Sequence, residues 1–168
     1  MAKLKIDAEK LTGELAARLQ RYLQDRELSH PAMVGIHTGG VWVAERLHKM
    51  LALDLSLGQL NINFYRDDFS RKGLNPVVKP SALPFEVEGK DILLIDDVLQ
   101  TGRTIRAAMN ELFDYGRPNS IHLIVLVDRS GRELPIQPDI YGHKLTLFPG
   151  QHVKLVGPSP LALEMLET

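Results

Sequence analysis

Residues 91–116 read DILLIDDVLQTGRTIRAAMNELFDYG, and this stretch decides the fold that the sequence predicts. Its four consecutive apolar residues, Ile92–Ile95, are typical of a parallel strand that is buried on both faces. The pair Asp96–Asp97 follows, and we expect it to end the strand. From Ile105 onwards apolar residues recur at the spacing of a helix face, and the Gly and Pro that follow predict the end of that helix. The stretch therefore predicts a strand, a polar loop and an amphipathic helix.

The loop between the predicted strand and helix suits a sugar phosphate. It brings two threonine hydroxyls, a glycine and several backbone N–H groups to a helix N-terminus, where unpaired donors and the helix dipole favour a phosphate dianion. The carboxylates of Asp96 and Asp97 would repel that phosphate unless they face the vicinal hydroxyls of a ribose or a magnesium ion. A ribose 5-phosphate accounts for both halves of the motif. The residues expected to bind the phosphate are Leu99, Gln100, Thr101, Gly102, Arg103 and Thr104.

A less specific interpretation of the aspartates stays open. Asp is a common turn former and helix cap, and Thr-Gly is common in turns, so the pair alone does not establish a site. The complete string is more informative. It lacks the Gly-Lys-Ser/Thr ending of a nucleoside triphosphate loop and the three glycines of a dinucleotide fingerprint, which excludes those two classes of site.

Other segments continue the alternation of strands and helices. Asp7 predicts the cap of a first helix that ends near Glu27. Further predictions are strands at 33–36, 60–64 and 121–127, an edge strand at 152–156, and a second helix built on Val43, Ala44, Leu47 and Leu51. The pattern predicts an α/β fold with a doubly wound, mainly parallel sheet, helices on both faces, and ligands at the carboxyl ends of the strands.

Composition limits the classes of function. The 168 residues, 44% of them hydrophobic, predict a single domain spanning 1–168. The absence of cysteine excludes disulfides and thiolate catalysis, and no stretch has the length of a signal peptide core or a membrane span, so we expect a soluble, cytoplasmic protein with no membrane partner. The net charge of −1 is not the basic excess of a strong nucleic-acid binder, so RNA binding would require a local patch.

The string IDDVLQTGRT (95–104) resembles the phosphoribosyl pyrophosphate (PRPP) signature of the type I phosphoribosyltransferases. Four other strings narrow the resemblance to the PyrR family of bifunctional uracil phosphoribosyltransferases and pyrimidine operon attenuation proteins. These strings are GIHTGGVWVAERL (35–47), INFYRDDFS (62–70), GRPNSIHLIVLVDRSGRELPI (116–136) and DIYG (139–142). The similarity covers about residues 5–157.

The resemblance implies a reaction. A PyrR-like enzyme would make UMP and pyrophosphate from uracil and PRPP with Mg²⁺, which Asp96 and Asp97 would hold mostly through PRPP. The same two aspartates and Arg66 are the expected catalytic residues. The segment from about 66 to 88 would be a lid over the site. A long polar loop of this kind is also compatible with a flexible connection that has no function of its own.

The resemblance also assigns two further subsites. Thr38, Gly39 and Gly40 would meet the pyrophosphate of the donor, and Val127, Asp128 and Arg129 would frame the base. Many relatives carry Thr-Arg-Gly in the first of these loops, so Gly39 removes one charge contact to pyrophosphate, for which Arg66 or Arg103 would have to compensate.

A second, non-catalytic function follows from the same resemblance. Relatives bind pyrimidine operon (pyr) mRNA and assemble as homodimers or larger oligomers, and the candidate RNA contacts here are Arg18, Arg21, Arg26, His37 and Arg132. Gly131 and Gln137 stand where RNA-binding relatives have histidine and arginine, and arginines on a helix are often only a solvated face. A uridine-nucleotide-sensing regulator without catalysis, and a transferase for another base, remain alternatives.

Overall fold

The computed structural model describes residues 2–62 and 81–167. Its helices are α1 (Ala8–Asp25), α2 (Gly39–Leu51) and α3 (Arg103–Tyr115). Its strands are β1 (Ala2–Lys3), β2 (Ala32–Ile36), β3 (Gly58–Leu60), β4 (Asp91–Leu99), β5 (Ser120–Arg129), β6 (Ile140–Leu145), β7 (Gln151–Val156) and β8 (Ala162–Glu167). Within these ranges no helix is both long and apolar enough to cross a bilayer.

The main sheet has five strands in the order β3-β2-β4-β5-β6, and all four neighbouring pairs are parallel. The central strand β4 pairs with β2 on one side and with β5 on the other. Parallel strands need crossover connections, which place helices over the faces of the sheet. The predicted doubly wound α/β fold is confirmed.

Both faces of β4 are covered, which explains its uninterrupted apolar run. Leu93 and Ile95 pack with residues of α1 and α2 on one face. Ile92 and Leu94 pack with residues of α3 on the other face. Successive residues of a strand point to opposite faces, so a strand buried on both sides has no polar position to alternate with.

The predicted helix boundaries agree with the structure. The Asp7 side chain caps α1 by accepting a hydrogen bond from the Lys10 backbone N–H at 3.1 Å. α1 ends at Asp25, within two residues of the predicted position. α3 ends before Gly116, whose φ of 153° suits a residue without a Cβ.

Two strands extend further than predicted, and the expectation that Asp96–Asp97 ends the first was wrong. Parallel pairing between β4 and β5 continues to Val98 opposite Val127 and Leu99 opposite Asp128. The aspartates are therefore strand residues, because a neighbouring strand supplies backbone partners that the local sequence cannot reveal. The third strand lies at Gly58–Leu60 rather than at 60–64, and residues 63 and 64 lie outside the described ranges.

A second, antiparallel sheet lies beside the main one, in the order β1-β8-β7. The predicted edge strand at 152–156 corresponds to β7, which is an edge of this second sheet. Strands β1, β6 and β8 were not predicted from the sequence. Leu155, Leu161 and Leu163 anchor this sheet in the core that contains α1 and α2.

A polar tie also fastens the second sheet to the helices. Glu9 of α1 accepts two hydrogen bonds from the Arg46 guanidinium, at 3.1 and 2.9 Å, and one from the Leu161 backbone N–H at 2.9 Å. Arg46 also donates to the Pro158 carbonyl at 2.7 Å. The Arg46 hydrogen bonds, and then the Leu161 N–H, hold the pKa of the Glu9 carboxyl below its ordinary value.

We expect Glu9→Gln to lower the free energy of unfolding at pH 7 by up to about 1 kcal/mol, because the pair is partly exposed. A carboxyl whose pKa is depressed by folding stabilises the protein above its unfolded pKa and loses that contribution as the pH falls through the folded pKa. The difference between wild type and variant should therefore shrink below about pH 4. Urea denaturation at several pH values checks this, and a difference that is constant with pH would contradict it.

Candidate active site

The carboxyl ends of β2, β4 and β5 meet at one edge of the main sheet, as parallel strands require. A cavity of about 290 Å³ opens at this edge. One side of it is formed by the end of β4, the loop that follows and the first residues of α3. The lining residues are Asp96, Asp97, Val98, Leu99, Gln100, Thr101, Gly102, Thr104, Ile105, Val153, Lys154 and Leu155.

The paired aspartates are fixed by their own backbone. Asp96 Oδ1 accepts the Asp97 N–H at 2.8 Å, and Asp97 Oδ1 accepts the Val98 N–H at 2.7 Å. Asp96 is only 5% exposed. Two carboxylates held side by side at the rim of a cavity present hydrogen-bond acceptors to hydroxyl groups and oxygen ligands to a hard cation.

The loop after β4 has backbone features that suit an anion. Gly102 has φ of 94°, in the left-handed region, and the chain turns there into α3. The Thr101 hydroxyl accepts the Arg103 N–H at 3.1 Å. Thr104 and Ile105, in the first turn of α3, line the cavity, and first-turn N–H groups have no carbonyl partner within their helix. An anion in the cavity would complete them.

The loop after β2 lies in contact with the aspartates. A Cβ at Gly39 would overlap the Asp97 carboxylate, and one at Gly40 would lie 2.8 Å from the Ile95 carbonyl oxygen. These two glycines let the N-terminus of α2 approach the end of β4 directly. A side chain at residue 39 would displace Asp97 from this position, which gives a physical reason for Gly39.

The end of β5 carries buried polar residues. Asp128 is 3% exposed and Arg129 is 8% exposed. Asp128 pairs with Arg132 at 2.7 Å, whereas Arg129 donates to two carbonyls, those of Ser130 and Gln151, at 3.0 and 3.3 Å. Burial lowers the pKa of the Arg129 guanidinium from its ordinary value. Through Gln151, Arg129 links β5 to β7.

The structure separates the remaining predicted residues. Arg103 faces outward and pairs with Glu133 at 3.0 Å, with side chains 62% and 52% exposed. Arg66 lies outside the described residues, as does most of the predicted lid. Compensation for Gly39 by either arginine stays a prediction.

The candidate RNA contacts fall in two places. Arg18 and Arg21 lie on α1 and Arg26 directly follows it. Arg18 donates to the Tyr141 and Gly142 carbonyls, and the Arg26 guanidinium lies 4.4 Å from the centre of the Tyr22 ring. His37 instead follows β2 and Arg132 follows β5, and neither residue lines the cavity. His37 bonds Gln59 at 2.8 Å, and Arg132 bonds residues of the site.

Sequence reasoning missed the contribution of β7 to the cavity. Val153, Lys154 and Leu155 line it, although they are far from the other lining residues in the sequence. The segment carries no motif, and only the attachment of the second sheet brings it to the site.

The residues at this site fit a magnesium ion that is held jointly by the protein and the phosphates of a substrate. Among the described residues no group of three or more His, Cys, Asp or Glu side chains could hold a metal ion. Mg²⁺ is commonly held by one or two carboxylates together with the phosphates of a substrate. Asp96 and Asp97 are two such carboxylates, and they suit an ion that also binds substrate phosphates.

Comparisons with known proteins agree with this geometry. The family model for the phosphoribosyl transferase domain matches residues 5–156. The bifunctional protein PyrR of Pseudomonas paraeruginosa is 57% identical over 154 residues, which cover 92% of this chain and 91% of the relative. The bifunctional protein PyrR of Nitrosococcus oceani is 58% identical over 160 residues, which cover 94% and 89% of the two chains.

Solved structures are similar in fold at low identity. A hypoxanthine-guanine phosphoribosyltransferase from Bacillus anthracis has a TM-score of 0.71 at 15% identity, with 99% of each chain covered. A purine phosphoribosyltransferase from Pyrococcus horikoshii has a TM-score of 0.62 at 22% identity, with 90% of this chain and 93% of the other covered. At these identities the likeness shows the fold alone.

The contact between Gly39 and Asp97 gives a test of the site geometry. We expect Gly39→Ala to lower the free energy of unfolding by about 1 to 3 kcal/mol, because the new methyl group overlaps the carboxylate. In an Asp97→Ala background, where that carboxylate is absent, the same change should cost much less. Urea denaturation of the four proteins measures the coupling, and additive losses would rule out the contact.

Proposed function

The chain belongs to the phosphoribosyltransferase family and to its PyrR branch, and we propose that it transfers the ribose 5-phosphate of PRPP to uracil, giving UMP and pyrophosphate. The observation that carries the proposal is the cavity that joins Asp96 and Asp97 to the turn into α3. High identity to bifunctional PyrR proteins over most of the chain supports uracil as the base. The proposal treats residues 1–168 as one catalytic domain.

In the proposed complex the three parts of the donor meet three parts of the site. The 5-phosphate binds the backbone N–H groups and hydroxyls of residues 99–104 at the start of α3. The ribose hydroxyls donate to the carboxylates of Asp96 and Asp97. The pyrophosphate lies against Thr38, Gly39 and Gly40 at the start of α2. Arg66, in the proposed lid, is the further cation assigned to the pyrophosphate.

The proposed chemistry needs no covalent bond to the protein. As the bond from C1 of the ribose to pyrophosphate lengthens, positive charge grows on the sugar ring, and a uracil ring nitrogen forms the new bond to C1 with loss of its proton. Asp96 and Asp97 stabilise the developing positive charge electrostatically, and the helix N-termini stabilise the negative charge on the phosphates.

Magnesium belongs to the proposal as the usual companion of PRPP in this family. When bound with the donor, it would supply positive charge beside the phosphates. Asp96 and Asp97 would hold it, mostly through the donor's own oxygens and hydroxyls. Coordination mostly by the donor agrees with a site whose described residues offer two adjacent carboxylates and no complete set of protein ligands.

The base is proposed to lie between the end of β5 and the edge of β7. Of the residues predicted for the first wall, Asp128 and Arg129 are the proposed polar contacts, whereas the Val127 side chain is fully buried in the core behind them. The Gln151 N–H donates to the Phe148 carbonyl and the Gln151 carbonyl accepts from Arg129, so both groups point away from β8. Because the backbone groups of alternate residues in an antiparallel strand point to the same side, those of Val153 and Leu155 also point away from β8. A strand edge offers neighbouring donors and acceptors, which suit the alternating carbonyl and N–H groups of uracil.

A regulatory function is proposed beside the catalytic one, because the similar proteins are called bifunctional. It consists of binding to pyr mRNA, and the candidate contacts are Arg18, Arg21, Arg26, His37 and Arg132. Assembly into homodimers or larger oligomers and a cytoplasmic location belong to the same proposal; the absence of cysteine supports the location. RNA binding through phosphate contacts should weaken steeply with salt, unlike uracil turnover.

The first experiment measures pyrophosphate release from PRPP and Mg²⁺ with uracil, hypoxanthine, guanine and orotate side by side. We expect release with uracil alone, because the whole-chain similarity is to PyrR proteins. Release with a purine instead would replace the substrate assignment. Release with none, in a protein that binds UMP, would favour a nucleotide-sensing regulator without catalysis.

A second prediction concerns the carboxylates. Asp97→Asn keeps the shape of the side chain and removes its charge, so we expect kcat to fall by at least about 100-fold, the scale on which one preorganised electrostatic contact acts. The thermal unfolding midpoint should change little, because the Val98 N–H keeps an amide oxygen as acceptor. Turnover within twofold of wild type would remove Asp97 from the mechanism.

A further inference from the structure

Arg132 connects two parts of the site that are distant in the sequence. Its Nη2 donates to Asp128 Oδ1 at 2.7 Å, and its Nη1 donates to the Gln100 carbonyl at 2.8 Å. Asp128 belongs to the proposed base wall, and Gln100 belongs to the proposed phosphate loop. A single guanidinium therefore bonds to both subsites, with its donors in a fixed planar fork.

The residues that follow Arg132 hold the same loop. The N–H groups of Glu133 and Leu134 both donate to the Thr101 carbonyl, each at 3.0 Å. A Cβ on Gly102 would lie 3.3 Å from the Cβ atoms of Leu134 and Ile136. Residues 132–136 thus lie along one side of the phosphate loop, and we call this segment the brace.

The brace sets the direction of the loop's amide groups. In a trans peptide the C=O and the following N–H point in opposite directions within one plane. When the Gln100 and Thr101 carbonyls point to the brace, the N–H groups of Thr101 and Gly102 point to the other side of the loop. Donors fixed in this way suit an anion, because they do not have to reorganise when it binds.

Among the bonds of the brace, the one between Arg132 and Asp128 is protected from solvent. The two side chains are 20% and 5% exposed, against 62% and 52% for the neighbouring pair of Arg103 with Glu133. Buried charges are screened little, and removing one partner of a buried pair leaves the other uncompensated. The exposed pair contributes little by comparison.

Two residues that depart from the RNA-binding relatives lie in the same network. Gln137 Oε1 accepts a hydrogen bond from Arg132 Nη2 at 3.3 Å. Gly131 has φ of 116°, and a Cβ there would lie 3.3 Å from Gln100 Cγ. Gln137 offers the guanidinium a neutral acceptor, and Gly131 has no side chain to crowd Gln100. Both features are compatible with the hydrogen bond from Arg132 to the Gln100 carbonyl.

We propose that Arg132 is a positioning residue that couples the base subsite to the phosphate loop, with Asp128 as its anchor. The inference rests on the proposed nucleotide site. Arg132 acts through the orientation of the Gln100–Thr101 peptide and does not itself contact the phosphate. A change at Asp128, on the base side, therefore alters the affinity for a phosphate on the other side of the loop.

The test compares the dissociation constants of UMP and uridine by calorimetry on the full chain. Their ratio isolates what the 5-phosphate adds to binding, because contacts to base and ribose cancel. We expect Arg132→Gln to reduce the ratio at least tenfold. Asp128→Asn keeps an oxygen acceptor but removes the charge that pairs with Arg132, so it should also reduce the ratio. The double variant should be no worse than Arg132→Gln alone, since both changes remove the same ion pair.

Glu133→Gln is the matched control. It removes the exposed ion pair of the same segment and keeps the backbone bond to Thr101, so the ratio should stay within twofold of wild type. If Arg132→Gln does not fold, Arg132→Lys serves in its place, because an ammonium keeps the charge and loses the fork; an intermediate ratio is then expected.

A wild-type ratio for Arg132→Gln or Arg132→Lys, or additive effects of Asp128→Asn and Arg132→Gln, would overturn the coupling. The proposed function fails separately, in the pyrophosphate assay. If the wild-type protein binds UMP more tightly than uridine but releases no pyrophosphate with uracil, the proposed enzymatic function is wrong and the proposed role of Arg132 still stands. A wild-type protein with no preference for UMP would overturn the brace whatever its turnover.

Discussion

Strand β4 is hydrogen-bonded on both sides and covered on both faces, and the positions of the functional loops follow from that burial. Its pairing with β5 continues to Leu99 opposite Asp128, so the two aspartates are held within the sheet rather than on a loop. The N-terminus of α2 comes into contact with them because Gly39 and Gly40 have no side chains. A looser central strand would leave these groups on independent loops.

The electrostatics of the site arise locally in a chain of net charge −1. Negative charge comes from Asp96 and Asp97, and positive potential comes from two helix N-termini that face them. Buried Arg129 and partly buried Arg132 bond mainly to backbone carbonyls and to Asp128. They organise the walls of the cavity, and this explains how a nearly neutral protein can present a strongly polar site.

The second sheet completes the site from the other side. Its strand β7 is held by apolar packing of Leu155 against the helices and by the bonds between Glu9, Arg46 and the backbone near Leu161. Arg129 adds a third attachment through Gln151. The cavity is therefore shared between two sheets whose relative position depends on buried contacts rather than on a linker.

The sequence by itself determined the α/β class, the strand, loop and helix at 91–116, and which polar groups the loop between them carries, because these depend on local periodicity and on residues adjacent in the chain. It predicted strands that end before Asp96 and after Val127, where the structure continues both strands, since parallel pairing comes from a distant segment. Only the tertiary structure decided that β7 lines the cavity, that Gly39 touches Asp97, and that Arg132 bonds Gln100. Each of these contacts joins residues far apart in the chain, and packing across the sheet edge, rather than any local pattern, brings them together.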